Sequence, residues 1–223
     1  MKNIFMASCM LLLCACGGGG GGTTTTPTGT SVNLTPFKNV FLGTSAGAQY
    51  SFPALFGTDS QGRSWSGSFT VIADGATTFE AQNVTRQRSL VTLQIAGGVP
   101  VSGITTSYFV VSDGSAYKSI SSTGVTSTPI SQTPLPATAK VGDFGVLGTT
   151  SGSDGTTSTT TWSLSGEFNG SSILAMSSIT KTGSTVTATE VDSFFLDSAG
   201  VPTKIVVSVT AGGVTVSLSG SKN

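Results

Sequence analysis

The chain predicts an all-β fold, an antiparallel meander of about twelve strands joined by tight hairpins and arranged as a barrel, a half-barrel or stacked sheets. Three observations carry this expectation. Apolar residues recur at every second position in run after run, while the helical period is nearly absent. Glycine-containing dipeptides of the kind that supply positive φ in two-residue turns separate the runs. The composition, rich in Ser, Thr, Gly and Val with only 9% charged residues, suits extended backbone, because β-branched side chains pack well on a pleated surface.

The elements follow in order. Trp65, Phe69 and Val71 share one face of a run whose other face is mostly Ser and Thr. Val91, Leu93 and Ile95 alternate with Thr92 and Gln94; Ile205, Val207 and Val209 form a similar stripe, and so do Val214, Val216 and Leu218. Asp74-Gly75, Gly97-Gly98, Asp113-Gly114, Asp154-Gly155, Asn169-Gly170 and Gly212-Gly213 read as hairpin turns, and Thr182-Gly183-Ser184 as another. Asp59-Ser60-Gln61-Gly62 and Asp197-Ser198-Ala199-Gly200 read as four-residue turns opened by Asp and closed by Gly. The strands expected between them span 48–57, 63–73, 76–84, 88–96, 104–112, 115–121, 143–152, 156–165, 172–181, 185–196, 202–210 and 213–220. The segment 126–138 carries three prolines and no alternation, so it is expected to lie outside any ladder. It divides the strands six and six, and so opens the alternative of two halves; the two Asp-to-Gly turns hint at a duplication.

Ahead of these strands, Lys2 precedes an apolar segment, Ile4 to Leu13, too short for the ~20 residues of a spanning helix. This is signal-peptide anatomy. Its end, Leu13-Cys14-Ala15-Cys16, resembles the lipobox of bacterial lipoproteins, with Leu at −3 and Ala at −1 relative to Cys16. The frame ending at Cys14 would put Leu13 where the peptidase takes a small residue, and Cys9 comes too early for an apolar region to precede it. The resemblance covers the first 16 residues. It implies removal of residues 1–15, acylation of Cys16 and attachment to a membrane through the acyl chains. Gly17 rather than Asp after Cys16 implies outer-membrane delivery in a Gram-negative envelope, on its periplasmic or surface face. Residues 16–34 read as the lipidated Cys and a flexible Gly/Thr tether, its segment from Gly17 to Ser31 spanning roughly 20 Å, and 35–223 as the β domain. No strand precedes the glycines and no helix follows them, so a phosphate-cradling loop is not expected.

Composition narrows the chemistry. All three cysteines lie in the first 16 residues and there is no histidine, which removes thiolate catalysis, Ser-His-Asp hydrolysis and His-ligated metals. The 10 basic and 10 acidic residues balance, so nucleic acid is not an expected partner. No cofactor or metal is expected, and an envelope protein, glycan or lipid remains open as a partner. The turn aspartates lack the dense oxygen spacing of a calcium loop.

Individual residues offer two readings each. Glu190 and Asp192, i and i+2, share a strand face; paired carboxylates serve glycoside hydrolysis, but on a hairpin strand they are expected to be a solvated face. Trp65 and Trp162 would stack sugars if exposed, yet each lies in phase with an apolar stripe and is expected in the core. Arg86 and Arg88 read as a solvated strand end, with an anion site as the alternative, while Glu80 and Glu167 have no assignable partner. Leu135-Pro136, Lys140-Val141-Gly142-Asp143 and the run from Asp197 to Ile205 are similar to motifs of periplasmic β half-barrel proteins related to lipoprotein carriers. That likeness, over Leu135 to Leu218, implies a concave apolar face able to hold an acyl chain, although no helical lid segment is visible. The glycine tether is also a feature of surface-lipoprotein barrels of the transferrin-binding type, but no strand motif of that family is present. The function expected is therefore a membrane-anchored, non-enzymatic β domain with a binding or structural role, the alternatives being a carrier of hydrophobic ligand and a carboxylate-dependent glycoside hydrolase.

Overall fold

The computed structural model describes residues 29–167 and 171–223. The residues of the expected signal, of the Cys16 site and of the glycine ribbon lie outside these, as does the Asn169-Gly170 turn. Twelve antiparallel strands close into one barrel: β2 (Gln49–Asp59), β3 (Ser64–Phe79), β4 (Gln82–Ile95), β5 (Val101–Val110), β6 (Ala116–Ser121), β7 (Thr126–Gln132), β9 (Phe144–Gly152), β10 (Thr156–Gly166), β11 (Ser172–Thr182), β12 (Thr185–Leu196), β13 (Pro202–Ala211) and β14 (Val214–Ser221). Each pairs with the next and β14 returns to β2, with Val216 opposite Asp59. Strands β1 (Ser31–Asn33) and β8 (Thr138–Lys140) form a separate two-stranded ribbon. Of the expected arrangements, the barrel is the one the chain adopts.

Two of the expected strand boundaries are corrected, and they offset each other in the count. Asp74-Gly75 is a bulge inside β3 and not a hairpin: the register against β4 shifts between Ala73 and Gly75, and Gly75 takes φ +85°. A residue with positive φ in mid-strand marks a bulge as readily as a turn. The reversal comes instead at Glu80-Ala81, where φ is +48° and +61°. No glycine flags that turn; the flanking Phe79 is held by stacking on Tyr108, ring centroids 3.9 Å apart.

The second correction is β7, which lies in the proline-rich segment expected to be excluded from the sheet. Its pairing with β6 ends at Ser119 opposite Ser127, so Pro129 sits where no β6 residue asks for its missing N–H. Beyond it, the Gln132 side chain stands in for the ladder. Its Oε1 accepts the Ala116 N–H at 2.7 Å and its Nε2 donates to the Ala116 carbonyl at 3.3 Å. The segment therefore joins the two sets of strands in a single closed sheet.

The described residues ahead of the expected domain start at residue 35 are packed on the barrel. Val32 and Leu34 are buried, and Leu34 N–H donates to the Ala137 carbonyl at 2.8 Å. One short helix, α1 (Thr35–Phe41), follows, with the Asn33 side chain accepting the Thr35 N–H at 3.0 Å and Pro36 in its first turn. It plugs the barrel end at which the chain enters. Phe37 and Phe41 stack with centroids 4.0 Å apart and both meet Phe194 edge-on, at 5.0 and 5.2 Å. Tyr50 Oη donates to the Pro36 carbonyl at 2.8 Å. The opposite end carries six short connections, at residues 60–63, 96–100, 122–125, 153–155, 183–184 and 212–213.

Alternation puts the apolar stripe inside. In β10, Trp162 and Leu164 face the core while Thr157, Thr159, Thr161, Ser163 and Ser165 face out. Both tryptophans belong to the main core cluster, as expected. Outward hydroxyls pair across strands, Thr210 with Thr215 at 2.8 Å and Thr92 with Ser102 at 2.9 Å. The outer face is mixed, since these hydroxyls share it with exposed apolar side chains, among them Phe56, Ile104, Ile179 and Val191.

Candidate functional site: a buried carboxyl pair

Period-2 geometry sends Glu190 and Asp192 of β12 to the same face, and the face is the inner one. Their relative exposures are 2% and 1%, so the expectation of a solvated face is corrected. The stripe that places them is Ala188, Glu190, Asp192, Phe194 and Leu196, all buried; the two acids interrupt an otherwise apolar series. Nothing local in the sequence distinguishes that interruption from an outward polar face, because Val191 and Phe195 on the opposite face are apolar as well.

The surroundings are dry. In register, Met176 and Val207 flank Asp192, and Ser178 and Val209 flank Glu190. A cavity of about 20 Å³ touches both acids and is lined otherwise by aliphatic residues and Phe69. That is room for one water molecule, which needs ~10–15 Å³. Ser178 Oγ is engaged with Thr160 Oγ1 at 2.8 Å. All four carboxyl oxygens lack a hydrogen-bond partner among the described residues. An isolated buried carboxylate costs several kcal/mol, even after relaxation, so the protonated forms dominate. Burial, with the adjacent Asp192 charge adding to it, pushes Glu190 well above the usual carboxyl range, and burial pushes Asp192 up to about 8.

Chemically, two neutral acids against a small cavity lined otherwise by apolar side chains are suited to holding protons. Calcium takes 6–8 oxygen ligands, and no group of three or more His, Cys, Asp or Glu side chains assembles among the described residues. A glycoside would need both carboxyls at an open cleft, whereas these are sealed from solvent.

The other singled-out residues scatter. Arg86 and Arg88 sit mid-strand in β4, not at a strand end, and clamp the Asp74 carboxylate of the bulge at 2.9 and 2.7 Å. Arg88 first, with its charge and that of Arg86, holds Asp74 below the usual carboxylate range against the pull of burial. Glu80 has partners after all, accepting from Tyr117 Oη at 2.9 Å and from the Lys118 ammonium. Glu167 accepts from Ser171 Oγ at 2.7 Å. A second cavity, about 60 Å³, lies between α1 and the wall, bounded by Phe37, Phe41, Phe109, Leu135 and Leu147 among others. Ligand pockets run to ~300–1,000 Å³, and neither cavity approaches that.

Sequence reading missed the most connected carboxylate, Asp59. Its Oδ1 accepts the Gln61 and Arg63 N–H groups at 2.9 and 3.0 Å, and its Oδ2 accepts Trp65 Nε1 at 2.9 Å and Arg63 Nε at 2.6 Å. Burial pulls its pKa upward, but these donors outweigh burial and bring it to about 2. The signal in the sequence is the Asp-x-x-Gly turn followed by Trp65, whose indole N–H lies within reach of the turn carboxylate. No family model, curated protein or solved structure matches the chain.

Proposed function

We propose that the chain is an outer-membrane lipoprotein, anchored by acyl chains on Cys16, that displays its barrel as a non-enzymatic binding or structural module of the cell envelope. The observation that carries the reading is the sequence Leu13-Cys14-Ala15-Cys16 followed directly by glycines. Two or three acyl chains, at about 0.8 kcal/mol per buried CH2, hold a protein firmly on a leaflet. The barrel's geometry is compatible with display. The chain enters at the end plugged by α1, so a membrane tether there leaves the opposite rim of short turns facing away.

Among the described residues, cavities of about 20 and 60 Å³ favour display over carriage of an acyl ligand, and the sealed carboxyls favour it over hydrolysis. The anchor is tested by labelling cells with radioactive palmitate. The parent chain is expected to incorporate label and fractionate with the outer membrane, and the Cys16→Ser chain to do neither. A Cys16→Ser chain processed and retained as the parent is would remove the proposal.

A further inference from the structure

Proteins seldom leave four carboxyl oxygens buried and unpartnered, since each lost partner costs stability. Glu190 and Asp192 do so side by side, on the inner face of β12, against a cavity large enough for one water. Display on a membrane makes no use of them. We propose that this pair is a proton-dependent lock on the barrel: protonated, the two acids are tolerated in the lumen and the sheet stays closed; ionised, they draw water in and loosen β12 from its neighbours.

The lock is set by what faces it. The titratable side chains on the packed elements are elsewhere engaged or outward. On β2, Asp59 lies level with Glu190 beyond Val209 and Val216 and is tied to Arg63 and Trp65, and Tyr50 is bonded to Pro36. Asp74 of β3 and Arg86 and Arg88 of β4 form their own outward cluster. Lys181 of β11 and Lys204 of β13 are exposed, the latter over the Phe195 ring, and β14 has no titratable side chain. Lys38 of α1 lines the other cavity and not the one that touches the acids, so among the described residues no cation is placed to compensate the charges, and proton loss draws in water.

The sign follows from linkage. The folded chain holds protons that the unfolded chain releases near the ordinary carboxyl range of ~4, so folding weakens as pH rises. For each proton so held, the folding equilibrium constant falls up to ~10-fold per pH unit. For Asp192 the fall extends to about pH 8.

The test uses the full-length protein purified in detergent, with urea midpoints measured from about pH 5 to about pH 9. The wild type is expected to lose stability steadily across that range, with amide exchange of β11 to β13 quickening once corrected for intrinsic rates. The Glu190→Gln, Asp192→Asn double variant, which cannot ionise, is expected to show a flat profile. A flat wild-type profile, or a double variant that keeps the wild-type slope, overturns the lock. Should the amide variant not fold, carbon-13 NMR of the side-chain carboxyls in the wild type decides: protonated acids at neutral pH support the lock, and ionised ones overturn it. The Cys16 experiment reads a separate property, so failure of either leaves the other standing.

Discussion

A single side chain, Gln132, shows how this sheet tolerates prolines. Its amide donates to and accepts from the backbone of Ala116, replacing the ladder to β6 that β7 gives up after Ser127 while its pairing with β9 runs on to Gln132. Leaving the Ala116 N–H unsatisfied costs about 1–3 kcal/mol. The Gln132→Ala protein is expected to lose that much in urea unfolding, and Gln132→Glu, which keeps an acceptor for the N–H but no donor for the carbonyl, is expected to fall between. Loss no greater than ~0.5 kcal/mol, as at ordinary surface sites, would show that the amide is incidental. The same scale explains the two echoing turns. Asp197 accepts the Ala199 and Val201 N–H groups just as Asp59 accepts those of Gln61 and Arg63. Yet the first turn lies at the rim opposite α1 and the second at the plugged end, because β2 and β12 run in opposite directions around the ring. A duplicated six-strand half would keep the direction, so the echo reflects turn chemistry and not a repeat.

Among the elements, α1 matters out of proportion to its 7 residues. A helix so short has little stability of its own, since nucleation is costly; it persists because Phe37, Val40 and Phe41 are buried in the lumen. Truncating Phe37, which is 1% exposed, to Ala is expected to cost about 3–5 kcal/mol. Equilibrium urea unfolding checks the value, and proteolysis between Leu34 and Ala48 is expected to speed up as the plug loosens. A variant as stable and as resistant as the parent would mean that the barrel closes without its plug. The bulge at Gly75 acts at the same scale: it bends β3 and presents Asp74 outward to both arginines, turning an apparent basic stretch into a locally neutralised one.

For the whole molecule, two carboxyl sites shape stability in opposite senses. Asp59, held down to about 2, supports the fold above the ordinary carboxyl range, and that support is lost as pH falls through about 2. Glu190 and Asp192, held up, weaken the fold as pH rises. Stability is thus expected to peak on the acid side of neutrality. An Asp59→Asn variant is expected to show a shallower acid limb, with its alkaline limb unchanged; acid titration followed by tryptophan fluorescence reports both, since Trp65 is itself bonded to Asp59. An unaltered acid limb would place the acid-sensitive group elsewhere.

The sequence by itself determined the class of fold, most of the hairpins and the inward place of Trp65 and Trp162, because period-2 alternation and glycine turns are local properties of the chain. It also determined the absence of histidine and with it a whole range of chemistry. Tertiary structure alone decided that the sheet closes, that residues 126–132 complete it, that α1 fills its end, and that Glu190 and Asp192 face the lumen. Those outcomes depend on contacts between residues far apart in the chain: Pro129 is tolerated because the β6–β7 pairing ends before it, at Ser127, and two acids are buried because the ring closes over the face of β12 that carries them. Alternation says which residues share a face; only closure of the ring says which face is inside.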